Sequence, residues 1–461
     1  MELFPYQKEG VDFICYKPRA ILGDDMGLGK TLQLITAAMK QTDATRILVV
    51  CPNSLKYFWA NELKKWYNIS STVVNGTPQL RSTQIAYKSK WTIINYESLR
   101  LHKEELQIRW DIVIFDESHR LKNRKALMFK AAKYLTKKAQ IIWCSSGTPI
   151  LNRLSELWTT LHIMYPKKYG SYWKFCENYC EVFNNGWGMQ VRDILDPDHR
   201  AIQEIREVLK PMMIRRLKSE VLKDLPEKII SQVWVDLVGK QRNYYDEMEK
   251  DFCTLISSKE YVEAPVKIAQ IIRLKQIAIS AQLIDAELDN ATAKIDALLE
   301  ILEDSPKPVV VFSAWKKTLN LVVERLPKDL VVKMITGEVP VSEREQIVLD
   351  FQAGKIDVLL ATIGAGGVGI TLTRASVVIF LDKDWTPALN RQAQDRLHRI
   401  GQKESVLVYE LLARNTIEED IEKLLAKKIK LCENVLDYTP VLDLEFDFDD
   451  IYNGMVGRNG Y

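Results

Sequence analysis

At 461 residues the chain is longer than one ordinary domain, and ~150 residues per unit allows about three. Hydrophobic residues at 47 % and charged residues at 27 % are the balance of a soluble globular protein with a sizeable core. The net charge of +3 permits a nucleic-acid partner without arguing for one, no apolar run approaches the ~18 residues of a membrane span, and the seven cysteines are too scattered for a disulfide framework.

The early Glu2 and Pro5 do not read as a cleaved leader, so the expectation is an intracellular protein, in prokaryotic or virus-infected cytoplasm or in a nucleus. Leu3 to Ile14 has the apolar spacing of a short amphipathic helix. On it, the Gln7 amide offers one donor and one acceptor, enough to pair with an adenine edge. Ala20-Ile21-Leu22 is a short strand, and Gly23-Asp24-Asp25-Met26-Gly27-Leu28-Gly29-Lys30-Thr31 follows, opening onto a helical pattern from Leu32. Strand, glycine-rich turn, then Lys-Thr at a helix start is the build of a phosphate cradle: inward backbone N–H groups plus the positive end of a helix. Gly23 and the residues from Asp25 to Thr31 are therefore expected to hold ATP. Lys30 would reach the β- and γ-phosphates, and the Thr31 hydroxyl would ligate Mg²⁺. Asp24 stands where the general pattern has glycine.

Four apolar runs come next: 46–51, 92–96, 111–115 and 140–144. Continuous rather than alternating hydrophobicity suits strands buried on both faces of a parallel sheet, with ligands beyond their carboxyl ends. The third run meets Asp116-Glu117-Ser118-His119 and the fourth meets Ser145-Ser146-Gly147-Thr148-Pro149. Asp116 would hold Mg²⁺ through its water shell, and Glu117 would take a proton from the attacking water.

Gln7, Gly-Leu-Gly-Lys-Thr, Asp-Glu-Ser-His and Ser-Gly-Thr-Pro, in that order, resemble superfamily-two helicase motors, and most closely the Swi/Snf family of DNA translocases. That family also carries an acid at the place of Asp24. The resemblance implies that Ser146 and Thr148 relay the nucleotide state, and that Asn53, Ser54, Lys56 and Tyr96 lie near a DNA backbone.

From Leu151 to about Asp289 the pattern turns helical. Leu151–Tyr165, Tyr172–Phe183, Ala201–Leu209 and Lys240–Leu288 read as helices, Ile229–Leu237 as a strand, and the cations around Arg215, Arg216 and Lys218 as a solvated helix face. Helical insertions and the wording Arg-Arg-Leu-Lys-Ser-Glu-Val-Leu resemble the annealing-helicase (HARP-type) branch of the family. The expected division is a first RecA-like lobe over 1–160, helical insertions and linker over 161–290, a second RecA-like lobe over 291–431, and an acidic tail over 432–461. The fold class is thus α/β, two doubly wound parallel sheets.

In the second lobe, strands are expected over 309–313, 331–335, 358–362, 377–381 and 406–412. Four glycines between Gly364 and Gly369 demand a close backbone approach; in the family this is a coupling segment, which places Gly367 and Gly369 near nucleotide. The resemblance further implies DNA contacts at Ser313, Trp315, Thr362 and Trp385. Asn390 to Gln402 is similar to the family's last helicase motif, with Gln392, Arg396 and Arg399 at the site. Arg396 and Arg399, three apart, would share one helical face and meet the γ-phosphate as arginine fingers. His398 between them reads as a structural hydrogen-bonder.

The implied activity is an ATP-dependent motor that steps along duplex or forked DNA by its backbone and remodels or reanneals branched DNA. It would act as a monomer, with replication or repair proteins as further partners. A strand-separating helicase and an ATP-gated clamp that does not move are the alternatives.

Overall fold

The computed structural model describes residues 3–423, apart from 88, 148–153, 185–187, 193, 195–198, 252, 256–260, 264–266, 289–291, 367–369 and 385–386. The chain forms two compact units, the first running to Lys223 and the second starting at Asp224.

In the first unit the strands are β1 (Arg19–Leu22), β2 (Ile47–Cys51), β3 (Thr72–Val73), β4 (Trp91–Asn95), β5 (Trp110–Asp116), β6 (Ala139–Ser145), β7 (Glu181–Asn184), β8 (Met189–Arg192) and β9 (Met213–Ile214). Seven of them make one parallel sheet in the order β3-β4-β2-β5-β6-β1-β9. Every residue of β2 and β4 is buried, as uninterrupted apolar runs require of central parallel strands. Trp59, Trp91, Trp110, Trp143 and Phe115 fill the interior with almost no exposure. The register brings the functional ends level: Leu22 pairs with Ser145, and Ser145 with Asp116. The loop after β1 and the acids after β5 therefore leave the same edge, one strand apart. Two helices frame that edge, α1 (Pro5–Cys15) and α2 (Lys30–Lys40). Cys51 and Cys144 are buried thiols on β2 and β6, and burial pushes Cys144 up to about 12.

The second unit carries β10 (Lys228–Val235), β11 (Cys253–Leu255), β12 (Tyr261–Glu263), β13 (Val309–Ser313), β14 (Val332–Ile335), β15 (Val358–Thr362), β16 (Val377–Phe380) and β17 (Val406–Ala413). Six of these form a parallel sheet in the order β10-β17-β16-β13-β15-β14. Phe312 and Phe380, on neighbouring strands, stack with ring centroids 5.3 Å apart in its core.

The helical middle differs from expectation. Residues 212–214 add β9 to the first sheet, and β10 is an edge strand of the second, so this stretch is shared between the units. The helix expected over Tyr172–Phe183 ends at Tyr179, where Cys180 turns extended, and Phe183 lies in the antiparallel β7–β8 hairpin. Lys240–Leu288 is interrupted likewise: helices Gly239–Asp251 and Lys267–Ile279 flank the β11–β12 hairpin. Strands of three or four residues complete at most two of the two-residue alternations that mark a strand, so helical spacing on either side masks them. Among the described residues no helix is long and apolar enough to cross a membrane. The expected acidic tail lies outside the described residues.

Candidate nucleotide site

The turn after β1 is shaped by backbone that side chains tolerate poorly. Gly27 and Gly29 have φ of 85° and 76°, and Gly29 caps α2. The Lys30 ammonium donates to the carbonyls of Asp24 (2.8 Å) and Asp25 (3.2 Å), so it lies over the loop. Leu28 is buried, and its carbonyl accepts from the Tyr6 hydroxyl (3.3 Å) and from the amides of Gln7 and Gln33 (both 3.2 Å). Gln7 also accepts from the Phe4 backbone N–H (3.1 Å) and is 3 % exposed. It braces the loop against α1. Met26 lies against Gly147, and Thr31 is half-buried at the helix start.

Asp24, the departure from the general pattern, faces inward. It is fully buried and accepts from Arg216 Nε (3.0 Å) and Nη2 (2.5 Å) and from Gln33 Nε2 (3.1 Å). Arg216 is 7 % exposed, which corrects the reading of its segment as a solvated helix face: the chain there is β9 and the extended residues after it. Arg215 joins in, donating to the carbonyls of Gly23 (2.8 Å) and Gly147 (3.1 Å). The signal for Arg216 was the uncompensated acid at Asp24, which in a buried loop needs a cation from elsewhere.

Asp116 ends β5 at 5 % exposure. Its carboxylate accepts from Trp59 Nε1 (2.8 Å), Ser145 Oγ (2.7 Å) and the Glu117 N–H (3.0 Å), while its carbonyl accepts from Tyr96 (2.8 Å). Burial, reinforced by the Glu117 charge, still holds the Asp116 carboxyl above its ordinary range, with Trp59, Ser145 and Lys30 pulling it back. Glu117 adopts φ 50°, a left-handed conformation unusual for its type, which turns its side chain out of the strand line. His119 Nδ1 sits 2.9 Å from Ser146 Oγ and 3.3 Å from Glu117 Oε2, so one imidazole touches both Ser146 and the acid pair. Thr148 lies outside the described residues.

These groups fit a magnesium nucleotide. Among the described residues no three His, Cys, Asp or Glu side chains are grouped to hold a metal on their own. Thr31 and Asp116 supply oxygen, the ligand chemistry of Mg²⁺, which commonly completes its shell with substrate phosphates and water.

Several expected DNA contacts are corrected. Lys56 is 3 % exposed and donates to the Val74 carbonyl (2.9 Å). Tyr96 is fully buried on Asp116, and Ser313 is fully buried on Asp382. Each fixes a strand end from inside. Asn53 and Ser54 remain accessible after β2. Trp315 and Thr362 are half-buried in the second unit, where the Lys275 ammonium stands 5.2 Å from the Trp315 ring. Gly367, Gly369 and Trp385 lie outside the described residues.

The helix carrying the last motif spans Pro387–Gln394 and stops there, so Arg396 and Arg399 stand in the turns that follow rather than on one helical face. There the bonding tightens: the N–H groups of Arg396 and Leu397 donate three residues back to the Ala393 (3.2 Å) and Gln394 (3.1 Å) carbonyls, and the Arg396 carbonyl accepts from the Leu372 N–H (2.9 Å). Arg399 donates to Thr371 Oγ1 (3.0 Å), Gln392 is 7 % exposed, and His398 bonds the Pro226 carbonyl (2.8 Å) as a structural group.

Two parallel α/β sheets, the first with a glycine-rich loop and the Asp116–Glu117 pair on one edge, are the architecture of a helicase-like core. The SNF2-related domain family matches residues 6–283, and the helicase conserved C-terminal domain matches residues 293–401. The chain belongs to the SNF2-related family. It is 30 % identical over 452 residues to an uncharacterized ATP-dependent helicase of Mycoplasma genitalium, covering 94 % of this chain and 42 % of that protein. It is 31 % identical to the SWI/SNF-related matrix-associated actin-dependent regulator of chromatin subfamily A-like protein 1 of Xenopus tropicalis (93 % and 44 % covered). It is 30 % identical to a DNA annealing helicase and endonuclease of Bos taurus (94 % and 40 %). The chain thus spans less than half the length of these relatives. Among solved structures, a Sulfolobus solfataricus SWI2/SNF2 ATPase core in complex with dsDNA is 27 % identical, with a TM-score of 0.45, covering 96 % of this chain and 98 % of that one.

Proposed function

We propose that this chain is an ATP-dependent translocase on double-stranded DNA, of the annealing-helicase kind that remodels or reanneals branched DNA, working as a monomeric motor beside replication or repair proteins. The observation that carries the reading is the shared edge on which Lys30 and Thr31 open α2 while Asp116 ends β5 and Glu117 follows it. Lys30 leaves the Asp24 and Asp25 carbonyls for the β- and γ-phosphates, with Gly23 and the loop from Asp25 to Gly29 holding the rest of the chain of phosphates. Thr31 and Asp116 would hold Mg²⁺, which when bound neutralises charge on the phosphates. Glu117 accepts the proton of the attacking water, with His119 Nδ1 3.3 Å from its Oε2 to hold the carboxylate in place. Gln7 and the Gly367–Gly369 segment complete the nucleotide contacts. Arg396 and Arg399, with Gln392 of the same motif, would act on the terminal phosphoryl group, the arginines by stabilising its charge. Asn53, Ser54, Trp315, Thr362 and Trp385 contact DNA, largely through its backbone.

The test is triplex displacement with parallel phosphate release. Wild-type protein should release phosphate faster with duplex DNA and should displace a third strand. Lys30→Ala should lose both while melting normally. Displacement of a duplex strand instead would favour a separating helicase, and stimulated hydrolysis without displacement an ATP-gated clamp.

A further inference from the structure

We infer that the Asp24–Arg216 ion pair is a staple by which the segment leaving the first unit sets the phosphate loop in its binding shape, making Arg216 a positioning residue for nucleotide. The inference rests on the ATPase reading above. It starts from the backbone. The segment 212–216 runs alongside β1 and continues past it: Ile21, Gly23 and Asp25 donate to the carbonyls of Met212 (2.7 Å), Ile214 (2.8 Å) and Arg216 (2.9 Å). The strand pairing thus extends into the loop itself, up to the residue that holds Lys30.

The Arg216 side chain then closes the staple. Its fork grips Asp24 through Nε and Nη2, Nη2 also donates to Gln33 Oε1 (2.9 Å) at the start of α2, and Nη1 donates to the Tyr6 carbonyl in α1. One guanidinium therefore joins the loop, both helices flanking it and the departing segment. The space it occupies depends on Gly10, where a Cβ would stand 2.5 Å from Arg216 Nη2 and 2.0 Å from Gln33 Oε1. Asp24 and Asp25, fixed from this side, are the two residues whose carbonyls receive the Lys30 ammonium. Releasing Arg216 would free the anchor of Lys30 without touching any group expected to meet phosphate. Seven residues after Arg216 the first unit ends at Lys223, so the segment that shapes the loop is also the one that leads to the second unit.

Isothermal titration with ADP tests this on the full chain, well below the melting temperature of each variant. Arg216→Gln should weaken ADP binding about 100-fold, the scale on which misplacing a site by an ångström acts. Arg216→Lys, which keeps the charge but not the fork, should fall between Arg216→Gln and wild type. Asp24→Asn should weaken binding too, and the double variant should be no worse than the weaker single one, because both changes remove one interaction. Wild-type affinity in Arg216→Gln, or in Arg216→Lys and Asp24→Asn should Arg216→Gln not fold, would overturn the staple whatever the melting temperatures. So would losses that multiply in the double variant. Failure of the wild type itself to bind ADP would instead refute the ATPase reading, which separates the two failures.

Discussion

Asp116 accepts three hydrogen bonds and its carboxyl still lies above the ordinary carboxylate range, because burial and the adjacent Glu117 outweigh them. The sign has two consequences. A raised carboxyl in the fold contributes stability that is present below the unfolded value of about 3.9 and lost as pH rises through the folded one. The proton also returns at a higher pH than for a free Asp, so the acid limb of kcat/KM should lie above the usual carboxylate range. A pH–rate profile checks this, and a limb at or below about 3.9 would contradict it. Gly29 makes a second prediction. An alanine Cβ there would stand 2.5 Å from Gln7 Nε2, which a rotated amide could relieve, but the φ of 76° cannot yield without reshaping the cap of α2. Gly29→Ala should cost about 1–2 kcal/mol and weaken ADP binding, read by thermal melting and titration. The places of Lys30, Thr31, Asp116 and Glu117 in the fold were legible because each stands at a short spacing from an apolar strand end. Arg216 was not, because its partner Asp24 is 192 residues away and only packing joins them. Lys56, Tyr96 and Ser313 misled in the opposite way: a polar side chain at a strand end reads as available, and burial alone shows it is taken.

At the scale of elements, legibility followed hydrophobic continuity. Strands β2, β4, β5, β13, β15 and β16 are nearly uninterrupted apolar runs, and the sequence places them to within a residue or two. The hairpins β7–β8 and β11–β12 and the two-residue β9 carry no such run. The helix of the last motif ends at Gln394, where the N–H groups of Arg396 and Leu397 turn to bonds three residues back. The central strands should dominate stability. Phe312 is fully buried on β13 against Phe380, and Phe312→Ala should destabilise the second unit by about 3–5 kcal/mol, measured by denaturant unfolding with a probe in that unit. A loss below about 1 kcal/mol would mean that this core is not packed as described.

For the whole molecule, membership of the SNF2-related family and the two parallel sheets carry the expectation of a DNA motor. Gripping a backbone neutralises phosphates, so duplex affinity should fall about 10³-fold between about 50 and 200 mM salt for roughly six contacts, with little dependence on base sequence. Binding across salt concentrations on unrelated duplexes measures this, and salt-independent affinity would argue against backbone tracking. The proposed function gives Arg396 and Arg399 a part in hydrolysis, as it does Lys30. The most direct measurement is DNA-stimulated turnover against ATP affinity in Arg399→Ala and Arg396→Ala. The account predicts nucleotide binding within about threefold of wild type and turnover lower by about 10³-fold, the share of an arginine finger. Undiminished turnover in both variants would contradict it.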